Sequence, residues 1–172
     1  FADGFKMDAN NADITIAAEV PAEQVAKLAL EENCVMVENA DGSRTICLKK
    51  DAAQIGETKY KTLAAAIEAA QAGETITFLT DITENVTVNK DLTIDGAGKT
   101  YTGNISVEGS TVDAIVKNVN FVDGSEYAIT TNRIKSITVE NCTAKNYGYG
   151  FLYANKSTPT VVVKNVTVEN CN

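Results

Sequence analysis

The segment Val116-Lys117-Asn118-Val119-Asn120-Phe121-Val122-Asp123-Gly124 has a pattern of apolar and polar residues that occurs twice more along the chain. It aligns without gaps with Ile134-Lys135-Ser136-Ile137-Thr138-Val139-Glu140-Asn141-Cys142 and with Val163-Lys164-Asn165-Val166-Thr167-Val168-Glu169-Asn170-Cys171. A constant motif at unequal spacing is typical of a solenoid, in which each coil keeps its strand and varies its loops. The sequence therefore predicts stacked coils of parallel strands.

Alternation with period two assigns a direction to each side chain of these segments. The residues predicted to point inward and to stack on one another are Val119, Phe121, Ile137, Val139, Val166 and Val168. The residues predicted to face outward are Asn120, Thr138 and Thr167. We expect Asp123, Asn141 and Asn170 to share the bend after the strand, because Asn and Asp tolerate left-handed backbone. Stacked amides at such a bend can also hydrogen-bond along the column.

The repeats belong to a longer segment, residues 57–172, in which short apolar alternations follow one helix. The helix is predicted over residues 62–72, with Thr62 as its N-cap and Gly73 as its left-handed stop. Its apolar stripe consists of Leu63, Ala66, Ile67 and Ala70. Regular short strands also fit an antiparallel sandwich, which stays open as the alternative fold.

Residues 1–56 differ in character and form a small mixed segment. Residues 13–20 alternate like a strand, and residues 21–30 have the pattern of a helix with Pro in its first turn. Two further strand-like runs, 34–37 and 45–48, flank an Asp-Gly pair, which is a hairpin signal. The prediction for this segment is a strand, a helix and a hairpin.

Two stretches resemble a known family. Residues 60–78 are similar to the entry helix and first strand of the right-handed parallel β-helix proteins of the pectin-lyase-like superfamily, and residues 92–98 are similar to the next coil. The resemblance covers residues 57–172. It implies an all-β fold, a right-handed parallel β-helix (solenoid) with an N-terminal capping helix and a small preceding α+β segment. It also implies a secreted or cell-surface protein of bacterial origin.

The superfamily supports many activities, so the resemblance alone does not select one. We expect a non-catalytic module that acts in adhesion, in glycan contact or as a spacer, with a glycan or a host or matrix surface as its partner. The alternative is a fragment or relative of a polysaccharide lyase or hydrolase acting on polyuronides. A third class, a binder of ice or mineral, would use outward threonines such as Thr138 and Thr167.

The composition excludes several classes of function. The 172 residues include no His, which removes His-dependent catalytic pairs and imidazole metal sites. A formal net charge of −8 disfavours nucleic acid as a partner. No apolar run is long enough for membrane insertion. The four cysteines lack the close spacing of a zinc site, so no metal, cofactor or catalytic residue is predicted.

The catalytic motifs of the superfamily's enzymes are incomplete in this chain. Arg133-Ile134-Lys135 matches one motif of polygalacturonases, but the His-containing motif and the paired Asp residues that accompany it are missing. Pectate lyases cluster calcium-binding carboxylates, whereas Asp91, Asp95 and Asp123 fall in different predicted coils. We therefore interpret Arg133-Ile134-Lys135 as the start of a repeat.

An aromatic run is the best candidate for a contact site, within the longer of the predicted coils. As a strand, residues 147–153 would project Tyr147, Tyr149, Phe151 and Tyr153 to one face. An exposed row would be a platform for the apolar faces of sugar rings, and an inward row would be an aromatic stack in the core. Both interpretations stay open for Tyr147 and Tyr149. The likeness of this stretch to residues 126–129 favours burial of Phe151, and we expect Tyr153 in the core as well.

The cysteines and the chain ends complete the predictions. Cys142 and Cys171 hold the same place in successive repeats and should stack about 4.8 Å apart. Cys34 and Cys47 could face each other across the hairpin, and free thiols are favoured because parallel side chains fit a disulfide dihedral poorly. The chain opens without Met and stops at Asn172 within a repeat, so we expect further sequence or a second copy there, with end-to-end self-association.

Overall fold

The computed structural model describes residues 5–7, 13–30, 34–155 and 159–172. The chain divides into two compact units, Phe1–Lys50 and Asp51–Asn172. The second unit begins before the expected residue 57, because the strand Ala53–Ile55 pairs with strands of that unit.

The first unit contains one short helix and two small sheets. Its elements are β1 (Phe5–Met7), β2 (Ile14–Ile16), α1 (Ala22–Val25), β3 (Leu28–Leu30), β4 (Cys34–Glu38) and β5 (Arg44–Leu48). Strand β1 pairs in parallel with β3, and β5 lies between β2 and β4 in an antiparallel sheet. The predicted strand and hairpin are confirmed. The predicted helix over residues 21–30 is wrong in length, because its alternating apolar end forms β3 on β1.

The expected approach of Cys34 and Cys47 across the hairpin is also wrong. In the register of β4 and β5, Cys34 lies opposite Leu48, and Val35 lies opposite Cys47. Residues directly opposite each other share a face, and adjacent residues alternate, so the two cysteines lie on opposite faces of the sheet.

The second unit is built almost wholly of strands. Its first elements are β6 (Ala53–Ile55), β7 (Thr58–Tyr60), α2 (Leu63–Ala69), β8 (Thr75–Phe78), β9 (Ile82–Thr83), β10 (Val86–Val88), β11 (Leu92–Asp95) and β12 (Thr100–Thr102). The remaining strands are β13 (Ile105–Glu108), β14 (Asp113–Lys117), β15 (Asn120–Val122), β16 (Tyr127–Asn132), β17 (Ser136–Lys145), β18 (Gly150–Asn155) and β19 (Thr160–Glu169).

Strands that are distant in sequence stack in parallel and form the sides of a β-solenoid. One side runs β8, β11, β14, β17, β19, and another runs β10, β13, β16, β18. Strands β9, β12 and β15 continue onto the second half of β17. Each described strand pair within residues 92–172 is parallel, which confirms the solenoid over the antiparallel sandwich.

The register of the repeats differs from the alignment made on sequence. Val116 pairs with Val139, and Val139 pairs with Val163, so the middle repeat begins at residue 139 and not at residue 134. The first and third segments were aligned correctly. Val119, Phe121, Ile137 and Val139 are buried as predicted. In the correct register, Cys142 stacks beneath Val166, so the predicted stacking of Cys142 on Cys171 is wrong; both are free thiols.

Two columns of left-handed residues mark the corners of the coils. Asn118, Asn141 and Asn165 have φ values of 55°, 53° and 49°, and their amides donate along the column from Asn165 to Asn141 (2.9 Å) and onward to Asn118 (3.4 Å). The second column consists of Asp123, Asn146 and Asn170. The predicted amide columns are confirmed, but Asn141 belongs to the other column from Asp123 and Asn170.

Helix α2 confirms the predicted N-cap and apolar stripe. The Thr62 hydroxyl accepts from the backbone N–H of Ala65 at 3.1 Å, and the stripe residues Leu63, Ala66, Ile67 and Ala70 are buried in the main core. The Glu84 carboxylate accepts from the N–H groups of Leu63 and Ala64, which suits the positive end of the helix. The helix ends at Ala69, earlier than predicted, because Ala70 is already extended; Gly73, with φ of 87°, lies beyond it.

The inward side chains of the last strand, β19, stack on those of β17, but their other side is not covered by a described strand. Val166 and Val168 stack on Cys142 and Ala144, both of which are buried. Val168 is nevertheless 49% exposed, whereas Val166 is partly buried against the core. The exposure of Val168 arises because no described strand stacks above β19, and not because its side chain leaves the inward column.

Candidate functional site

Tyr147, the first residue of the aromatic run, belongs to the core. It is 1% exposed, and its hydroxyl donates to the carbonyl oxygen of Gly103 at 2.9 Å. A Cβ at Gly124 would lie 2.0 Å from the Tyr147 ring, so only glycine fits beneath it. Burial raises the pKa of the Tyr147 hydroxyl to about 12, although the bond to Gly103 opposes the shift. Tyr147 is therefore a structural residue and not a contact residue.

Phe151 joins the same core. Its ring meets that of Phe121 edge-on with centroids 6.1 Å apart, and Phe121 also contacts Tyr101 and Tyr147. Such edge-to-face pairs add about 0.5–1.5 kcal/mol beyond the area that they bury. The sequence argument that favoured burial of Phe151 thus agrees with its partly buried position against the core.

Tyr149 and Tyr153 lie at the surface, with 62% and 44% of their area exposed. Both rings contact Tyr127 of strand β16: Tyr153 stacks on it with centroids 5.1 Å apart and an interplanar angle of 24°, and Tyr149 lies tilted at 5.8 Å. We call Tyr127, Tyr149 and Tyr153 the tyrosine platform. The four aromatic residues of the run divide between core and surface, and the expected burial of Tyr153 is wrong.

Two glycines explain why the aromatic run does not alternate as one strand. Strand β18 begins only at Gly150, whose φ of 140° is a conformation that other residues rarely adopt. A Cβ at Gly148 would lie 2.3 Å from the carbonyl oxygen of Ser125, so the chain turns a tight corner there. Tyr147 and Tyr149 therefore precede the strand and do not follow its alternation.

Tyr127 is the member of the platform that the sequence did not identify. It lies opposite Gly150 in the pairing of β16 with β18, and a Cβ at Gly150 would approach the Tyr127 ring to 3.2 Å. The sequence feature that marks Tyr127 is its pairing with a glycine one coil later. This pairing can be recognised only when the register of the coils is known.

A shallow groove of about 270 Å³ lies beside Tyr127. Its lining residues are Asn85, Gly103, Asn104, Ser125, Glu126 and Tyr127. The Asn104 amide donates to the carbonyl oxygen of Tyr127 at 2.8 Å and accepts from the Thr130 hydroxyl at 3.2 Å. The Asn104 backbone N–H donates to the Asn85 side chain at 2.8 Å. These bonds hold the groove wall to the strand that carries Tyr127.

Two of the carboxylates considered for catalysis, Asp95 and Asp123, form hydrogen bonds or ion pairs with neighbouring side chains of the solenoid wall. Asp95 accepts from Asn118 at 2.9 Å and pairs with Lys117 at 3.4 Å. Partial burial opposes ionisation of Asp95, but these interactions and the Ala97 N–H outweigh it and lower its pKa. Asp123 accepts from Asn146 within the corner column. Within the described ranges, no group of three or more Cys, Asp and Glu side chains is placed to hold a metal ion.

The segment Arg133-Ile134-Lys135 also makes structural contacts within the solenoid wall. Ile134 is buried in the main core, and Lys135 forms an ion pair with Asp113, which also accepts from Ser136. The Lys135 and Ser136 hydrogen bonds lower the pKa of the Asp113 carboxyl. Arg133 has a left-handed φ of 54° at a turn. The segment does not start a repeat as we interpreted it, since the repeat begins at residue 139.

No helix in the part of the chain that the structure describes is long and apolar enough to cross a membrane. Comparison of the chain with known protein families, with curated proteins and with solved structures gives no match.

Proposed function

We propose that this chain is a non-catalytic module of a secreted or cell-surface bacterial protein and that it contacts glycan through the tyrosine platform. The proposed finer fold is a right-handed parallel β-helix of the pectin-lyase-like type, with α2 as the cap of its first coil. Adhesion and spacing are the larger roles that such a contact would serve.

The observation that carries the proposal is the tyrosine platform, in which the exposed rings of Tyr149 and Tyr153 both contact the half-buried ring of Tyr127. The centroids of the Tyr149 and Tyr153 rings lie 5.8 Å and 5.1 Å from that of Tyr127, and the three rings form an apolar patch that is costly to leave in water. Tyrosine offers a rigid ring and a polar hydroxyl at a small entropy cost, which is why it is frequent at contact surfaces. A pyranose presents the matching chemistry, an apolar C–H face with hydroxyls at its edge.

The groove beside Tyr127 supplies the polar half of such a site. Its volume of about 270 Å³ is near the lower end of ligand pockets, roughly 300–1,000 Å³, and suits one sugar ring. Ser125 and Glu126 are among its lining residues, and a hydroxyl and a carboxylate are groups that can bond sugar hydroxyls. The site therefore combines a stacking surface with hydrogen-bonding groups at one edge.

The negative charge of the chain favours neutral glycans over anionic ones. The chain carries a formal net charge of −8, and the groove contains the Glu126 carboxylate. An anionic polyuronide would be repelled by this field, whereas a neutral glycan would not. We therefore expect binding of neutral glycans in preference to polyuronides.

The test is binding of neutral hexasaccharides of glucose, mannose and N-acetylglucosamine, with hexagalacturonate as the charged contrast, followed by calorimetry. We expect at least one neutral sugar to bind and the Tyr149→Ala and Tyr153→Ala variants to bind it about tenfold more weakly, a loss of about 1.4 kcal/mol each. The matched control is Ile115→Ala, which removes an exposed apolar side chain from strand β14 and should leave binding unchanged.

Three results would contradict the proposal. The first is the absence of binding to all of these sugars at millimolar concentration. The second is a loss of binding in Ile115→Ala equal to that in the tyrosine variants. The third is steady release of reducing ends or unsaturated products from a polyuronide, which would favour a polysaccharide lyase or hydrolase.

A further inference from the structure

The side of the solenoid that carries the tyrosine platform is acidic. We call strands β10, β13, β16 and β18, together with the turns that lead into them, the platform side; its residues are 81–88, 103–108, 123–132 and 146–155. These segments include no Lys or Arg, although the chain contains 15 such residues. Their acidic residues are Asp81, Glu84, Glu108, Asp123 and Glu126. The platform side therefore carries negative charge only.

Glu126 differs from the other acidic residues of this side. The carboxylates of Asp81, Glu84, Glu108 and Asp123 each accept at least one hydrogen bond. No hydrogen bond or ion pair within the described residues engages the exposed Glu126 side chain. Glu126 directly precedes Tyr127, and its backbone carbonyl accepts from the Tyr149 N–H at 3.1 Å. An unengaged carboxylate thus belongs to the residue next to two rings of the platform.

The basic residues that follow the strands of the platform side do not offset this charge. The Lys90 ammonium donates to the carbonyl oxygens of Glu68 and Ala70 at the end of helix α2. Arg133 lies six residues beyond Tyr127, about 20 Å along an extended strand. Lys156, which follows β18, lies outside the described residues. Within the described residues, the ionised group nearest in sequence to the platform is therefore a carboxylate.

Tyrosine rings and a carboxylate are together the groups that recognise a positively charged ligand. The face of a tyrosine ring attracts a cation that lies within about 6 Å of its centroid, because the ring has a negative face. The Tyr149 and Tyr153 rings are exposed, so a ligand can reach them. A field of negative charge also raises the local concentration of cations. An ammonium group at this site would gain from the rings and from Glu126 at once.

We propose that the glycan bound by the tyrosine platform contains amino sugars with free, protonated amines and that Glu126 binds the ammonium group. This inference rests on the proposed function and narrows its class of ligand. A glucosamine residue carries its ammonium at the edge of the ring, where a neutral hexose has a hydroxyl. Its C–H face can stack on a tyrosine while the ammonium lies beside the carboxylate. The charge that disfavours polyuronides thus favours a cationic glycan over a neutral one.

Calorimetry with two ligands that differ only in acetylation tests the proposal. The ligands are hexaglucosamine and hexa-N-acetylglucosamine, compared at a pH at which the free amines are protonated. We expect hexaglucosamine to bind at least about tenfold more tightly, because acetylation removes the charge that the rings and Glu126 attract. This preference should decrease as salt is raised, since salt screens exposed charges.

The variant Glu126→Gln removes the carboxylate and keeps the shape of the side chain. It should bring the two affinities to within about threefold of each other and leave the affinity for hexa-N-acetylglucosamine unchanged. The matched control is Glu57→Gln, which removes the same charge from an exposed glutamate in the turn between β6 and β7. The control should keep the full preference for hexaglucosamine.

A hexalysine peptide separates recognition of an amino sugar from general attraction of cations to a chain of net charge −8. Hexalysine should bind at least about tenfold more weakly than hexaglucosamine, because a lysine side chain has no ring face to stack on tyrosine. Equal affinity for these two cations, or a preference for hexaglucosamine that survives in Glu126→Gln, would overturn the inference. Binding of hexa-N-acetylglucosamine as tight as that of hexaglucosamine would overturn the inference and leave the proposed function intact. Absence of binding to either sugar would overturn both.

Discussion

The middle coils and the last strand of the solenoid have the same apolar pattern, but its valines are buried in the middle coils and largely exposed in the last strand. Val116 and Val139 are buried, whereas Val163, which stacks on Val139 in the same column, is half exposed. Tyr147 and Tyr149 also differ in exposure although they are two residues apart, because the chain bends between them at Gly148. Burial in this fold is therefore set by the place of a residue in its coil and by the coil that covers it, and not by the type of residue. Tyr149, on the exposed side of this bend, belongs to the proposed contact surface.

The largest expected effect contrasts Tyr147 with Tyr149. Tyr147→Ala removes a buried ring packed on Phe121 and should lower the free energy of unfolding by about 3–5 kcal/mol. Tyr149→Ala should change it by less than about 0.5 kcal/mol, because the side chain lies at the surface. Denaturant unfolding of both variants measures the difference. Equal losses in the two variants would contradict the assignment of Tyr147 to the core and of Tyr149 to the surface.

The next effect is a pH dependence that arises from the buried tyrosines of the core. The pKa of Tyr147 is raised to about 12 by burial, and the pKa of buried Tyr101 is raised in the same direction. A raised pKa means that the stabilisation is complete below the unfolded value, about 10, and is lost as pH rises through the folded value. For Tyr147 the loss should approach about 2–3 kcal/mol between pH 10 and 12.

The control for this pH dependence is Tyr147→Phe, which has no hydroxyl to ionise. Unfolding free energies measured from pH 9 to 12 should fall less steeply in this variant than in the parent chain. An identical slope in the two proteins would mean that the Tyr147 hydroxyl is not held in the core as described.

A smaller effect contrasts Val139 with Val163. Val139→Ala deletes two methyl groups from a closed layer and should cost about 2 kcal/mol. Val163→Ala should cost less than about 1 kcal/mol, because half of this side chain already lies in solvent. Thermal and denaturant unfolding of both variants give the two values. A loss for Val163→Ala as large as that for Val139→Ala would contradict the difference in burial between the two residues.

Much of the fold followed from the sequence because alternation and turn residues are local signals. The solenoid, the N-cap at Thr62 and the hairpin of β4 and β5 depend on such signals and are confirmed. The alignment of the middle repeat failed because residues 134–142 match the other segments in apolar pattern better than the true frame from Val139 does. In the observed frame, Asn residues with positive φ lie in columns along the solenoid. This frame is favoured because Asn adopts a left-handed backbone more readily than most other L-residues do.

A sequence criterion could have found this frame. Asn118 and Asp123, Asn141 and Asn146, and Asn165 and Asn170 form three pairs with the same internal separation. The tyrosine platform could not be predicted in full, because Tyr127 meets Tyr149 and Tyr153 only through the pairing of β16 with β18. Aromatic residues close in sequence suggested one surface, whereas tight corners at Gly148 and Gly150 divided them.

The contact of the tyrosine platform with sugar can be measured by nitration of tyrosines, read residue by residue by mass spectrometry with and without the tightest-binding neutral hexasaccharide. We expect Tyr149 and Tyr153 to react in the free protein and to be protected by the sugar, whereas Tyr101 and Tyr147 should stay unreactive in both conditions. Reaction of Tyr147 as fast as Tyr149, or equal reaction of Tyr149 and Tyr153 with and without sugar, would contradict it.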